Sequence, residues 1–203
     1  MTHQINPNEP TAEFNLMQRV KRRMYAMRNG ALADNMRARG LNYFINFGLN
    51  IPQLKEIAAE LTDGPGALDF DSRCALAADL WANVNTRESR LLAPMIFPPA
   101  RMTPQMALRW LSEAQTTEVA DHLCHSLLRQ LPYAEDVAYS LVAFPEASPM
   151  QIYSALRLLM NLLILRKADL ARLASLTASL TPEPLLRPLL TQINDEIAFL
   201  TED

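Results

Sequence analysis

Asp121, His122, Cys124 and His125 crowd into one short stretch of the chain. A metal centre is the first chemistry such a group suggests. However, His122 and Cys124 stand two apart and cannot share a helical face, and beyond this group only Cys74 and His3 remain to complete four ligands. No metal and no cofactor is therefore assigned. No glycine-rich phosphate loop or Walker pattern occurs, and no Ser-His-Asp arrangement stands out. Asp121 stands differently. On a helix running from Thr117 to Leu131, Thr117, Asp121 and His125 fall at i, i+4 and i+8 and share one face, while Val119, Leu123 and Leu127 point elsewhere. The plainest use of that carboxylate is a helical ion pair with His125, worth a few tenths of a kcal/mol.

The cations available to an anionic partner are unevenly spread. The chain has 203 residues and a net charge of −3, which argues against a protein that coats nucleic acid indiscriminately, because nonspecific DNA affinity comes mostly from neutralising phosphates. Residues 1–40 nevertheless hold seven basic side chains against three acidic ones, while residues 41–203 hold twelve against nineteen. Of the 19 basic residues 16 are arginine, whose planar fork suits phosphate oxygens, although a genomic composition habit produces the same bias. Arg19, Lys21, Arg22, Arg23 and Arg28 form either a phosphate grip or a solvated helix face.

The elements that must position these groups are helical. With 5 glycines, 14 prolines and 49% hydrophobic residues, the composition fits helices separated by sharp corners and a core sufficient for one compact domain over 12–203, behind a polar leader at 1–11. A first helix is predicted from Thr11 to Arg28, with Phe14, Met17, Val20, Met24 and Met27 as its apolar stripe, and a second from Ala31 to Arg39. The stretch from Leu41 to Gly48 is aromatic-rich and irregular. Asn50 with Gln53 makes a capping-box start, and Thr103-Pro104, Ser148-Pro149 and Thr181-Pro182 repeat an N-cap followed by proline. Pro94 falls inside a predicted helix and should kink or end it. Larger units at 67–98, 103–132, 134–166 and 168–200 each hold two helix-length apolar patterns, the period of an α-solenoid whose pairs must stack to bury their apolar faces. An ordinary helical bundle has similar helix lengths. Trp81 and Trp110 lie in apolar helical patterns, as core residues do. The run from Leu156 to Leu165 is broken by Arg157 and Asn161 and is too short to span a membrane. Two cysteines without an apolar export segment at the start fit a reducing cytoplasm with both thiols reduced.

Three segments resemble the AlkD-like family of DNA alkylation repair proteins, which are built of HEAT-like repeats. Tyr43 through Ala58 is similar to an aromatic-Gly-Val-x-x-Pro-x-Leu-Arg-x-Ile-Ala signature. Leu76–Trp81 with Arg87–Ala93 is similar to a Leu-Trp … Glu-x-Arg-x-Leu-Ala element, and Trp110-Leu111 through Thr117–Leu123 matches the register of the catalytic helix. The opening Met27–Asp34 looks most like a shorter bacterial subgroup. The resemblance implies an all-α, right-handed solenoid of HEAT-like antiparallel helix pairs that binds double-stranded DNA, alkylated or of unusual structure. It also implies a glycosylase for N3- or N7-alkylated purines, with a non-catalytic scaffold for DNA structure or a protein partner as the alternative.

Asp121 matches the family's catalytic aspartate and Arg157 its arginine on the next repeat, with Arg90 and Arg129 as further phosphate candidates and Arg22 and Arg23 from the N-terminal cluster. Arg157 read by itself is also a snorkelling side chain amid leucines. Glu88 and Arg90 sit in a segment that ties adjacent repeats. Two features depart from the family. Thr117 stands where active members carry a tryptophan, and residues 168–200 contain no Trp or Tyr where a second aromatic is expected. Tyr43, Phe44 and Tyr153 are the aromatics left to take those places.

Overall fold

A computed structural model of the chain describes residues 12–202, and the leader expected at 1–11 lies outside them. The chain divides into two compact units, one up to Pro98 and one from Pro99. The first holds α1 (Ala12–Ala26), α2 (Gly30–Ala38), α3 (Ile51–Thr62), α4 (Phe70–Ala82) and α5 (Arg87–Ile96). The second holds α6 (Pro104–Ser112), α7 (Thr117–Ser126), α8 (Ala134–Val142), α9 (Pro149–Ile164), α10 (Leu170–Ser179) and α11 (Arg187–Glu202), with 3-10 turns at Pro99–Arg101 and Leu128–Gln130. The fold is all-α. Each unit is built of packed helix pairs, as an α-solenoid requires: α4 on α5 in the first, and α8 on α9 and α10 on α11 in the second.

The local chemistry of the starts accounts for most boundaries. Asn50 accepts from the Gln53 amide while the Gln53 side chain accepts from the Asn50 amide, a reciprocal cap on α3. Ser148 and Gln151 do the same for α9, and Thr103 caps α6 through the Met106 amide. Thr181-Pro182 starts no helix; α11 begins at Arg187. The reason is Pro184. Had a helix begun at Pro182, Pro184 would sit where an N–H must meet the cap, and its ring disfavours the helical conformation at Glu183. The helix expected from Thr117 to Leu131 is also shorter, because α7 ends at Ser126 and tightens into the 3-10 turn. Pro94 lies inside α5, which ends at Ile96.

In the first unit, Val20 and Met24 from the α1 stripe are buried, and Trp81 is 1% exposed. The irregular stretch before α3 is held by a single isolated bridge between Ile45 and Thr86 and by Glu88. Its turn at Gly48 has a φ of +70°, and a Cβ there would lie 2.1 Å from the Asn29 carbonyl oxygen and 2.8 Å from the Ala33 nitrogen. Both neighbours are backbone and cannot yield cheaply. Gly48→Ala is expected to lose about 1–3 kcal/mol in chemical denaturation; a variant as stable as the parent would show that the turn relaxes.

In the second unit α9 is the central element, packed against α6, α7, α8 and α11. Ala155, Leu156, Leu158, Leu159 and Leu163 are fully buried on it, and Trp110 of α6 is 0% exposed.

Candidate functional site

The site is made where α7 and α9 meet. Ala120, Leu123 and Cys124 turn the inner side of α7 into the core, which leaves Thr117 and Asp121 on its half-buried side and His125 exposed. The expected split of faces is thus observed. The crossing is lined by small groups, with the Cys124 Sγ donating to the Ser154 carbonyl at 3.5 Å. Residue 121 pairs with 157 and 124 with 154, so the two helices run in opposite senses. That register brings Asp121 opposite the half-buried side chains of α9.

Arg157 meets Asp121 with a two-pronged contact, Nε to Oδ1 at 2.7 Å and Nη2 to Oδ2 at 3.0 Å. One helical turn earlier, the Tyr153 hydroxyl donates to the same Oδ1 at 2.9 Å. The pair is neither core nor open surface: the Arg157 and Asp121 side chains are 28% and 36% exposed. An ionised carboxylate offers about four lone-pair sites. Among the described residues Oδ1 has two donors and Oδ2 one. Arg157 spends two of about five N–H donors on the carboxylate, and the rest can reach a second anion.

The electrostatics follow this geometry. The hydrogen bonds to Asp121 hold the Arg157 guanidinium above its ordinary range. Burial, and then the Asp121 charge, pushes the Tyr153 phenol up to about 12, so at neutral pH it stays protonated and donates. Burial also raises the Cys124 thiol, which therefore stays a neutral packing group. His122 shares a hydrogen bond with Ser126 at 3.2 Å. Among the described residues, no group of three or more His, Cys, Asp or Glu is placed to hold a metal ion.

Arg129 falls in the 3-10 turn after α7, half-buried. Arg90 is in the core of the first unit, 3% exposed. Its guanidinium stacks 3.6 Å above the Trp81 ring and donates to the Trp81 carbonyl at 2.7 Å, so it ties α5 to α4 and turns no face to solvent. Arg23 bridges to Glu56 and Glu60, each at 2.6 Å, and ties α1 to α3. Arg19, Lys21 and Arg22 are exposed. Arg28 is exposed as well, and lies over the Tyr25 ring at 3.9 Å. Phe44 is 85% exposed in the irregular stretch of the first unit.

Tyr153, named from the sequence only as an aromatic that could replace a missing tryptophan, meets Asp121 through its hydroxyl instead. Its signal is positional: it stands four before Arg157 and so shares its face of α9. A cleft of about 560 Å³ in the same unit, lined by Gln105, Leu108, Arg109, Phe144 and Gln151 among others, includes none of the three site residues.

A family model described as DNA alkylation repair enzyme matches residues 20–148, a span that contains Asp121 and stops short of α9. Neither the curated proteins nor the solved structures gave a match.

Proposed function

Since the chain belongs to the DNA alkylation repair enzyme family, we propose that it binds double-stranded DNA and excises purines alkylated at N3 or N7, with Asp121 as its electrostatic catalyst. Alkylation at either nitrogen makes the base cationic and weakens the bond to the sugar. When that bond breaks, the electron pair leaves with the base and neutralises it, and positive charge develops on the sugar. A carboxylate held close by stabilises that charge, an effect worth several kcal/mol when water is excluded. Water then adds at the sugar carbon and gives up a proton to solvent. The observation that carries this reading is the Asp121 carboxylate, partly exposed and fixed by two α9 side chains, with a lone pair of Oδ2 unspent.

Arg157 has two roles here: it orients the carboxylate through Nε and Nη2 and meets a flanking phosphate with its remaining donors. Arg129 and Arg22 are further phosphate contacts. Exposed Arg22 is the cleaner of these to test, because no structural bond confounds its removal. Arg22→Ala is expected to weaken duplex binding to a similar degree on all sequences and to lower the slope of log affinity against log salt by about one, measured by fluorescence anisotropy. An unchanged slope would remove Arg22 from the interface.

The deciding experiment incubates purified protein with methylated duplex DNA and assays free N7-methylguanine and N3-methyladenine. Release supports excision. Salt-sensitive duplex binding without release supports the second reading, a non-catalytic scaffold for DNA structure, which Thr117 favours by standing where active members carry tryptophan. Absence of both leaves a protein-interaction solenoid. No described helix is long and apolar enough to cross a membrane, and we place the protein with DNA in the cytoplasm.

A further inference from the structure

We propose that Tyr153 is a positioning residue for Asp121, fixing which carboxylate oxygen is left to face the sugar. The inference rests on the excision reading and adds to it a residue that lies beyond the span matched by the family model. Arg157 alone does not fix the carboxylate. Its two-pronged contact lies along one edge of the guanidinium, and a carboxylate can rock about that axis while keeping both bonds. The Tyr153 hydroxyl, at 2.9 Å from Oδ1, approaches from a second direction on the same helix. With Arg157 Nε at 2.7 Å from that oxygen, both lone pairs of Oδ1 are occupied. Among the described residues Oδ2 receives only Arg157 Nη2, at 3.0 Å. The two oxygens of Asp121 are therefore made inequivalent. Charge developing on a sugar meets Oδ2, in a fixed orientation, and Oδ1 serves as the anchor.

The arrangement suits tyrosine. The phenol is half-buried in the packing of α9, so its direction is set by its ring, and as a phenol it keeps its proton at neutral pH and donates. Phenylalanine keeps the ring and removes only the donor. In Tyr153→Phe, Asp121 keeps its Arg157 contact and its charge but loses the second direction of restraint.

The test is a single-turnover base-release assay on methylated duplex, at protein concentrations that separate the chemical step from binding, with circular dichroism melting on every variant. Tyr153→Phe is expected to slow the chemical step by about tenfold or more while DNA affinity stays within about twofold. In an Asp121→Asn background the same change is expected to have no further effect on rate, because the oxygen it positions is gone. A merely structural tyrosine would lower stability without this coupling. Release by Tyr153→Phe within about twofold of the parent overturns the role of Tyr153 and leaves excision standing. If the parent itself releases no base, excision fails and the proposal fails with it. A second measurement reads the bond directly: the Tyr153 phenol, followed by its ring-carbon NMR signal, is expected to titrate lower in Asp121→Asn than in the parent. Unchanged titration would show that the hydroxyl does not serve this carboxylate, and would overturn the proposal.

Discussion

Asp121→Asn is expected to reduce base release from methylated duplex by on the order of 10²-fold or more. The size follows from what the substitution keeps. Asparagine is close in shape to aspartate, and its amide oxygen can still accept from Tyr153 and Arg157 Nε at the Oδ1 position. The amide nitrogen, however, takes the place of Oδ2, where it opposes Arg157 Nη2 and presents N–H groups where an acceptor faced outward. A cationic sugar then meets a donor in place of an anion. Because the carboxylate is 36% exposed and its partner 28%, the loss of the ion pair is screened, and folding stability should fall by only about 1 kcal/mol. Activity and stability therefore separate in this variant. A release rate within about threefold of the parent, in a folded protein, would remove Asp121 from catalysis. Intact DNA binding alongside lost release would place its effect in the chemical step.

The largest expected effect on stability lies in the other unit. Glu88 is 0% exposed and its carboxylate accepts from the Phe47 amide at 3.1 Å, the Leu49 amide at 3.3 Å and Arg87 Nη1 at 3.2 Å. Arg87, 2% exposed, also donates to the Leu49 carbonyl at 2.8 Å. This buried pair fastens the irregular stretch before α3 onto the first turn of α5, supplying backbone partners that no regular element gives it. Glu88→Ala leaves the Phe47 and Leu49 amides buried without their acceptor and takes the neighbouring carboxylate from the buried Arg87 guanidinium, and is expected to cost about 3–5 kcal/mol. For a chain of this length that lowers the midpoint of thermal denaturation by on the order of 10 °C. Replacing Glu88 and Arg87 together by apolar residues should cost less than the two single changes summed, because no isolated charge is left behind. Additive losses would show that the two side chains act separately.

Glu88 and Asp121 also mark how far the sequence could be read. The tie between repeats was legible in the segment around Glu88 and Arg90, but their burial was not. Arg90 was a phosphate candidate beside Arg157, and its burial against Trp81 shows that it fills the core. The helix starts were largely legible, since a cap and a proline act within a few residues. Thr181-Pro182 misled because the residue that cancels it, Pro184, lies just beyond the motif. For the site, the face carrying Asp121 follows from helical spacing alone, whereas its partners depend on how α9 crosses α7. No local pattern encodes that register. It comes from the packing of α7 on α9, in which Cys124 meets Ser154, and it decides that Tyr153 and Arg157 reach the carboxylate. The family match ends before α9, so Arg157 and Tyr153, both named from the sequence, lie outside the matched span.

The burial of the tryptophans has an optical consequence. The chain has two, and the boundary after Pro98 gives one to each unit: Trp81 under Arg90 in the first and Trp110 in the centre of the second, at 1% and 0% exposure. Each indole emits from a dry, packed setting and shifts to the red when its surroundings open. Trp110→Phe leaves a fluorophore that reports the first unit alone, and Trp81→Phe one that reports the second. With these two proteins, loosening at Glu88 and loosening around Asp121 become separate signals, each followed without label or probe.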